Sequence, residues 1–265
     1  TGFLSKQGDD AVVAGLLGAS ALGFYQMSYR LATAPNTEVT HVISRVVFPA
    51  YSKLQDDMVR LRKAFYRTIR ITLFLSTPAG VGILVITPTF VEAFLGPDWM
   101  PMVRTMQLLT LFGIGTAFGS MFGEVWKAIG RPDINAKMQG LKLLLIAVLI
   151  YPLTTRYGIF GTALTIFISS TIILRPVSIV VTARLIDASI GRMLRELVFP
   201  VAAASTMGVT VWYTRELLNL GLPILEFVIL VIVGIISYAL VVLLLETQLG
   251  WGLLSEFKSI RKELA

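Results

Sequence analysis

Four ionisable residues, Arg30, Glu38, His41 and Arg45, lie within a segment of helical length, Ala21–Lys53, that is flanked by membrane-like sequence. At 3.6 residues per turn, positions 30, 34, 38, 41 and 45 share one face of a helix. Pro35 sits among them and should kink it. Lipid does not accept such a face, because one Arg or Asp at the bilayer centre costs about 2.5–3.5 kcal/mol even on insertion scales. The stripe must look into protein or into a wet cavity. Arg30 and Arg45 can bind the phosphates of an anionic headgroup through paired hydrogen bonds. Near the two ends of the helix, they can equally snorkel to the interfaces. Glu38 and His41, three residues apart, can form a proton-responsive pair, since His titrates near neutrality, or a packing hydrogen bond.

Asp9, beside a run of small residues on the first helix, reads either as an ion or proton site or as a membrane-entry charge paired with Arg30 or Lys6. Arg67, Arg70 and Lys142 stand one or two turns inside the basic side of the membrane. They fit the positive-inside bias, and Arg70 is carried forward as a third candidate for an anionic substrate. Glu124 and Lys127 are spaced to neutralise each other. Gly115, Gly119 and Gly123 form a smooth ridge on which another helix can approach closely. No catalytic constellation emerges. His41 is the only histidine, cysteine is absent, and no GxSxG or phosphate loop occurs. Asp9 and Asp10 are adjacent and point about 100° apart on a helix, which makes a poor dyad. No metal or cofactor is expected.

The elements that must position these residues are membrane helices. Only 15% of the 265 residues are charged, 55% are hydrophobic and the mean hydropathy is +0.76, against roughly a quarter charged in a soluble domain. Eight helices are expected: a truncated first (1–18), then about 19–51, 61–95, 100–129, 136–154, 160–185, 197–213 and 224–245. An amphipathic stretch, 187–196, precedes the seventh, and the tail from Trp251 resembles an interfacial helix. GPDWMP, GRPDINAK and RYGIFG read as turns, with Trp99 as an interfacial anchor.

Alternate connections hold the basic residues. Lys53, Arg60, Arg62, Lys63, Lys127, Arg131, Lys137, Arg184, Arg192, Arg195, Lys258, Arg261 and Lys262 fall on one side, against Arg104, Arg156 and Arg215 on the other. This alternation puts the basic loops and the C-terminus in the cytoplasm of a cell (cytoplasmic) membrane protein. The net charge of +7 is thus a matter of topology, and no aromatic-interleaved basic face points to nucleic acid.

The stretch Gly15–Asp57 carries LG-x-Y-x-x-x-Y-R-L (Leu22–Leu31), Pro35 and I-S-R-V-x-F-P-A-x-S-x-L-Q-D-D (Ile43–Asp57). Further on come W-x-P at Trp99–Pro101, A-x-G-R-P-D at Ala128–Asp133 and Y-G-x-x-G-x-A at Tyr157–Ala163. In this order the motifs resemble the polysaccharide exporters and lipid-linked oligosaccharide flippases of the multidrug/oligosaccharidyl-lipid/polysaccharide superfamily. The resemblance implies an all-α membrane bundle of two six-helix lobes. This chain would supply the second lobe (residues 1–187) and two extra helices with a cytoplasmic tail (188–265), the N-terminal lobe lying upstream. It also implies alternating access and a polyprenyl-pyrophosphate-linked glycan as cargo. Arg30, Arg45 and Arg70 are then candidates for substrate, and Asp9, Glu38 and His41 for ion coupling. Asp9 matches a membrane aspartate of the family. Asp10, Ala14-Gly15, Glu38 and His41 depart from its usual residues, so coupling by Glu38 and His41 is not carried over from it. Glycan-assembly enzymes are further expected partners. Two alternatives stand beside this reading: a drug or small-cation exporter on the same fold, which needs an acidic cavity, and a non-transporting scaffold for glycan assembly.

Overall fold

The computed structural model of the chain describes residues 2–218 and 220–249, with side chains described for 8–218 and 220–247. The expected tail helix lies outside the described residues. Within them the chain is helical: α1 (Gly2–Leu17), α2 (Ala19–Lys53), α3 (Met58–Phe94), a 3-10 turn (Pro97–Met102) and α4 (Val103–Ala128). Next come α5 (132–157) and α6 (159–185), then α7 (Ile190–Leu217) and α8 (Pro223–Leu249). Gly158 has φ 60° and ψ −142° and divides Pro132–Phe167 into two helices. A residue with a Cβ rarely adopts that conformation. The expected RYGIFG turn is this break, and the Thr154 and Thr162 hydroxyls close it with a buried 2.9 Å hydrogen bond. Helix α6 passes through one π-helical stretch, Ile168–Ile173, before continuing as Leu174–Leu185.

Five stretches are long and apolar enough to cross a membrane: Met58–Phe94, Pro97–Ala128, Pro132–Leu185, Ile190–Leu217 and Pro223–Thr247. Helix α2 has the length, at 35 residues, and is kept out of that set by its polar residues. The seventh helix is longer than expected. It starts at Ile190 because Ser189 caps it, accepting from the Arg192 N–H at 3.3 Å. The amphipathic stretch is therefore its first two turns.

Two apolar clusters hold the bundle together. One, at the end with the basic loops, gathers Tyr51, Leu61, Phe65, Phe122, Trp126, Ile186 and Met193. Polar bonds fix the same end: Trp126 Nε1 donates to Thr182 Oγ1 at 2.9 Å, and Arg62 Nη1 donates to the Asp187 backbone carbonyl at 2.6 Å. The other cluster gathers Tyr25, Val91, Met102, Leu109, Phe112 and Ile166 at the opposite end, where Trp99 packs edge-on against Phe24 at 5.3 Å. Helices α7 and α8 lie outside this six-helix set and dock on α3 through Ile86, Met207, Val211 and Leu230. Lipid gives apolar surfaces little reason to associate, so close approach and hydrogen bonds carry such packing.

Candidate functional site

Between the two clusters, α2, α4, α5 and α6 surround a cavity of about 730 Å³. It occupies the half of the bundle nearer the basic loops. Helix α2 lines it with Tyr29, Thr33, Asn36, Thr37, Thr40, His41 and Ser44, a wall of small hydroxyl and amide groups on one helical face. Thr116, Ser120, Asn135, Gln139, Ser170 and Ser178 continue that neutral polar surface on the other helices.

The charges lie elsewhere on the wall. Glu124 and Lys127 form the ion pair their spacing suggested, at 2.8 Å, and neutralise each other. Lys142 of α5 and Arg175 of α6 also line the cavity, and neither has a carboxylate within ion-pairing distance among the described residues. The two cations are close enough to repel, and Asp9, outside ion-pairing distance, attracts Lys142 more strongly than Arg175 repels it. Lys142 Nζ lies over the Phe112 ring, 5.8 Å from its centroid. The Arg175 Nε is buried and has no hydrogen-bond partner among the described residues. A guanidinium held in this way at membrane depth lacks the anion that would offset its desolvation.

The glycine ridge of α4 makes the arrangement possible. The Arg175 guanidinium fills the space where a Cβ on Gly119 would stand. Thr171 lies against Gly115, and Asn135 lies against Gly123 while donating to its carbonyl at 3.2 Å. The ridge brings helices together, as expected, and it also makes a trough for polar side chains.

The residues singled out from the sequence are not gathered in one place. His41 lies at the cavity wall and is exposed. Arg30, Glu38 and Arg45 are exposed on the part of α2 turned away from the cavity. Glu38 and His41 share no hydrogen bond or ion pair. Asp9 is half-buried outside the cavity and accepts from the Tyr25 hydroxyl at 2.7 Å, while Gln26 donates to Asp10 at 2.9 Å. Neither carboxylate pairs with Arg30. Arg70, the third candidate for a substrate anion, does not line this cavity. Its Nε and Nη2 bind Glu196 of α7 at 2.8 and 3.0 Å, so the guanidinium is committed to a carboxylate of the same chain. Arg175, which the sequence reading passed over, carries one usable signal: a cation ten residues before the end of α6, the only charged residue between Ile159 and Ala183.

A second cavity, about 970 Å³ and almost wholly apolar, opens between α2, α3, α7 and α8, with Leu31, Pro78, Phe90, Met207, Phe227 and Tyr238 on its walls.

Residues 1–104 match the family described as "Polysaccharide biosynthesis protein". The chain is 31% identical over 153 residues to an uncharacterized membrane protein in the cps region of Klebsiella pneumoniae, covering 58% of this chain and 32% of that protein. It is 32% identical over 143 residues to the lipopolysaccharide biosynthesis protein WzxC of Escherichia coli, covering 54% and 29%. Among solved structures, the lipid II flippase MurJ in an inward closed conformation superimposes with a TM-score of 0.74 at 17% identity, over 93% of this chain and 52% of that one. These matches bear out the motif resemblance to polysaccharide exporters and the all-α membrane fold. The chain spans about a third of the length of those two curated relatives.

Proposed function

We propose that this chain is one half of a flippase that carries a lipid-linked glycan across the cytoplasmic membrane by alternating access. In this reading residues 1–187 form a lobe that works against a second lobe from the rest of the protein, and 188–265 are an accessory pair with a cytoplasmic tail. The observation that carries it is the pair Lys142 and Arg175, two cations in a polar cavity without an ion-pair partner among the described residues. A pyrophosphate diester brings two negative charges and acceptor oxygens that suit a lysine and a guanidinium fork. The hydroxyl and amide wall from Thr33 to Ser44 suits sugar hydroxyls. The apolar groove beside α8 suits a polyprenyl tail, which then never leaves hydrocarbon. Arg30 and Arg45 would meet the substrate, or the second lobe, on the exposed side of α2. Asp9 and the Glu38/His41 pair would couple the swing to an ion gradient.

A cation exporter on this fold would need acidic groups free to meet its substrate, whereas the one carboxylate among the described residues lining this cavity is paired with Lys127. A test is flipping of a fluorescent polyprenyl-pyrophosphate saccharide by the full-length protein in proteoliposomes. Arg175→Leu should abolish flipping and Arg175→Lys should retain part of it. Flipping unchanged in Arg175→Leu would contradict the assignment, and flipping absent from the unsubstituted protein would favour the scaffold.

A further inference from the structure

Helix α3 contains Pro78 and Pro88. A proline cannot donate to the carbonyl four residues earlier, so Phe74 and Leu84 lose their helical partners. Within a bilayer no water replaces them. Each carbonyl is met by a side chain from another helix. Tyr238 of α8 donates to the Phe74 carbonyl at 2.9 Å, and Gln107 of α4 donates to the Leu84 carbonyl at 2.9 Å. Both kinks of α3 are pinned from outside.

Helix α2 differs. Pro35 and Pro49 free the carbonyls of Leu31 and Arg45, and no side chain of the described residues donates to either. Next to Pro35, Asn36 is 2% exposed, and neither its Nδ2 nor its Oδ1 has a partner among the described residues. It sits where three helices meet: its Nδ2 lies 3.5 Å from where a Cβ on Gly80 would stand and 3.1 Å from one on Gly113. The Ser76 and Thr77 hydroxyls, on the N-terminal side of the Pro78 kink, are also buried without partners. A buried amide with both halves unpaired is costly and marks a seam that is unsatisfied in this shape. The cavity wall runs across that seam, with Tyr29 and Thr33 before the proline and Thr37, Thr40, His41 and Ser44 after it. A change of bend at Pro35 therefore alters the width of the cavity.

We propose that α2 is the moving wall of this cavity. It bends at Pro35, and the Asn36 amide exchanges hydrogen-bond partners between two shapes of the helix. Helix α3, held by Tyr238 and Gln107, is the fixed post against which it moves. The use of the bend rests on the transporter reading, but the bend itself is measured without transport.

Nitroxide labels at Val46 of α2 and Val198 of α7, both exposed, report the swing in the full-length protein in lipid nanodiscs. Val46 lies ten residues beyond Asn36, an arm of about 15 Å, so a change of about 20° moves it by about 5 Å. Two distances are expected, with proportions that change when undecaprenyl pyrophosphate is added, while a control pair at Val59 of α3 and Val198 keeps one distance. Pro35→Ala restores the missing N–H, and Asn36→Leu removes the amide; each should leave a single Val46–Val198 distance. One distance in the unsubstituted protein with and without undecaprenyl pyrophosphate would overturn the proposal, as would two distances surviving Pro35→Ala. Two distances in a protein that flips no lipid would uphold the bend and remove the transporter reading instead.

Discussion

Arg175 of α6 rests its guanidinium on the bare backbone of Gly119 of α4, in space that any side chain at position 119 would take. Gly119→Ala should therefore push the guanidinium aside without disturbing the bundle, because the displaced atoms are the far end of a flexible side chain. Stability should change by less than about 1 kcal/mol, while affinity for undecaprenyl pyrophosphate falls about tenfold, one lost charge-assisted hydrogen bond. Thermal unfolding and equilibrium binding on the same preparation separate the two effects.

The Arg70–Glu196 pair is set deep, with side-chain exposures of 17% and 6%, and it ties α7 to α3. Removing Arg70 leaves the Glu196 carboxylate buried without its cation, so Arg70→Leu should destabilise the protein by about 3–5 kcal/mol. Replacing Glu196 by Leu as well should recover much of that loss, since the buried carboxylate is then removed too. Chemical unfolding monitored by fluorescence, run as a double-mutant cycle, reads the coupling.

At the turn between α5 and α6 two glycines are needed for different reasons, Gly158 for its positive φ and Gly161 for want of space. Gly158→Ala should cost about 1–3 kcal/mol through its unfavourable dihedral angles. Gly161→Ala should cost more than Gly158→Ala, because its Cβ meets the Leu153 carbonyl, which cannot rotate away. Melting temperatures of the two variants give the order.

In the proposed reading Asp9 serves coupling, and the Tyr25 hydroxyl holds its carboxylate. Asp9→Asn should keep binding of undecaprenyl pyrophosphate within a few-fold of the unsubstituted protein and remove the dependence of flipping on an imposed proton or sodium gradient. Flipping measured with and without each gradient checks this.

Much of the fold could be read from the sequence, because lipid imposes helices of a minimum length and glycine or proline marks the breaks between them. The RYGIFG turn, the α4 glycine ridge and the Glu124–Lys127 pair are local features, written within a few residues. The site was less legible. Arg70 was read as available to a substrate, and its partner Glu196 lies 126 residues away, a separation that no spacing rule bridges. Lys142 read as one more basic residue near a loop. Its importance appears only when α5 and α6 fold together and place it near Arg175. The stripe on α2 was seen as polar, but its cavity-facing part is the uncharged row from Thr33 to Ser44, one rotation away from Arg30, Glu38 and Arg45.

The central claim is that Lys142 and Arg175 together form an anion site. The direct measurement is the equilibrium affinity of the full-length protein for undecaprenyl pyrophosphate beside undecaprenol, for the unsubstituted protein, Lys142→Leu, Arg175→Leu and the double variant. Each single replacement should weaken pyrophosphate binding about ten- to a hundredfold. The double replacement should bring it down to the affinity for undecaprenol, which none of the variants alters. Pyrophosphate binding that survives the double replacement unchanged would contradict the account.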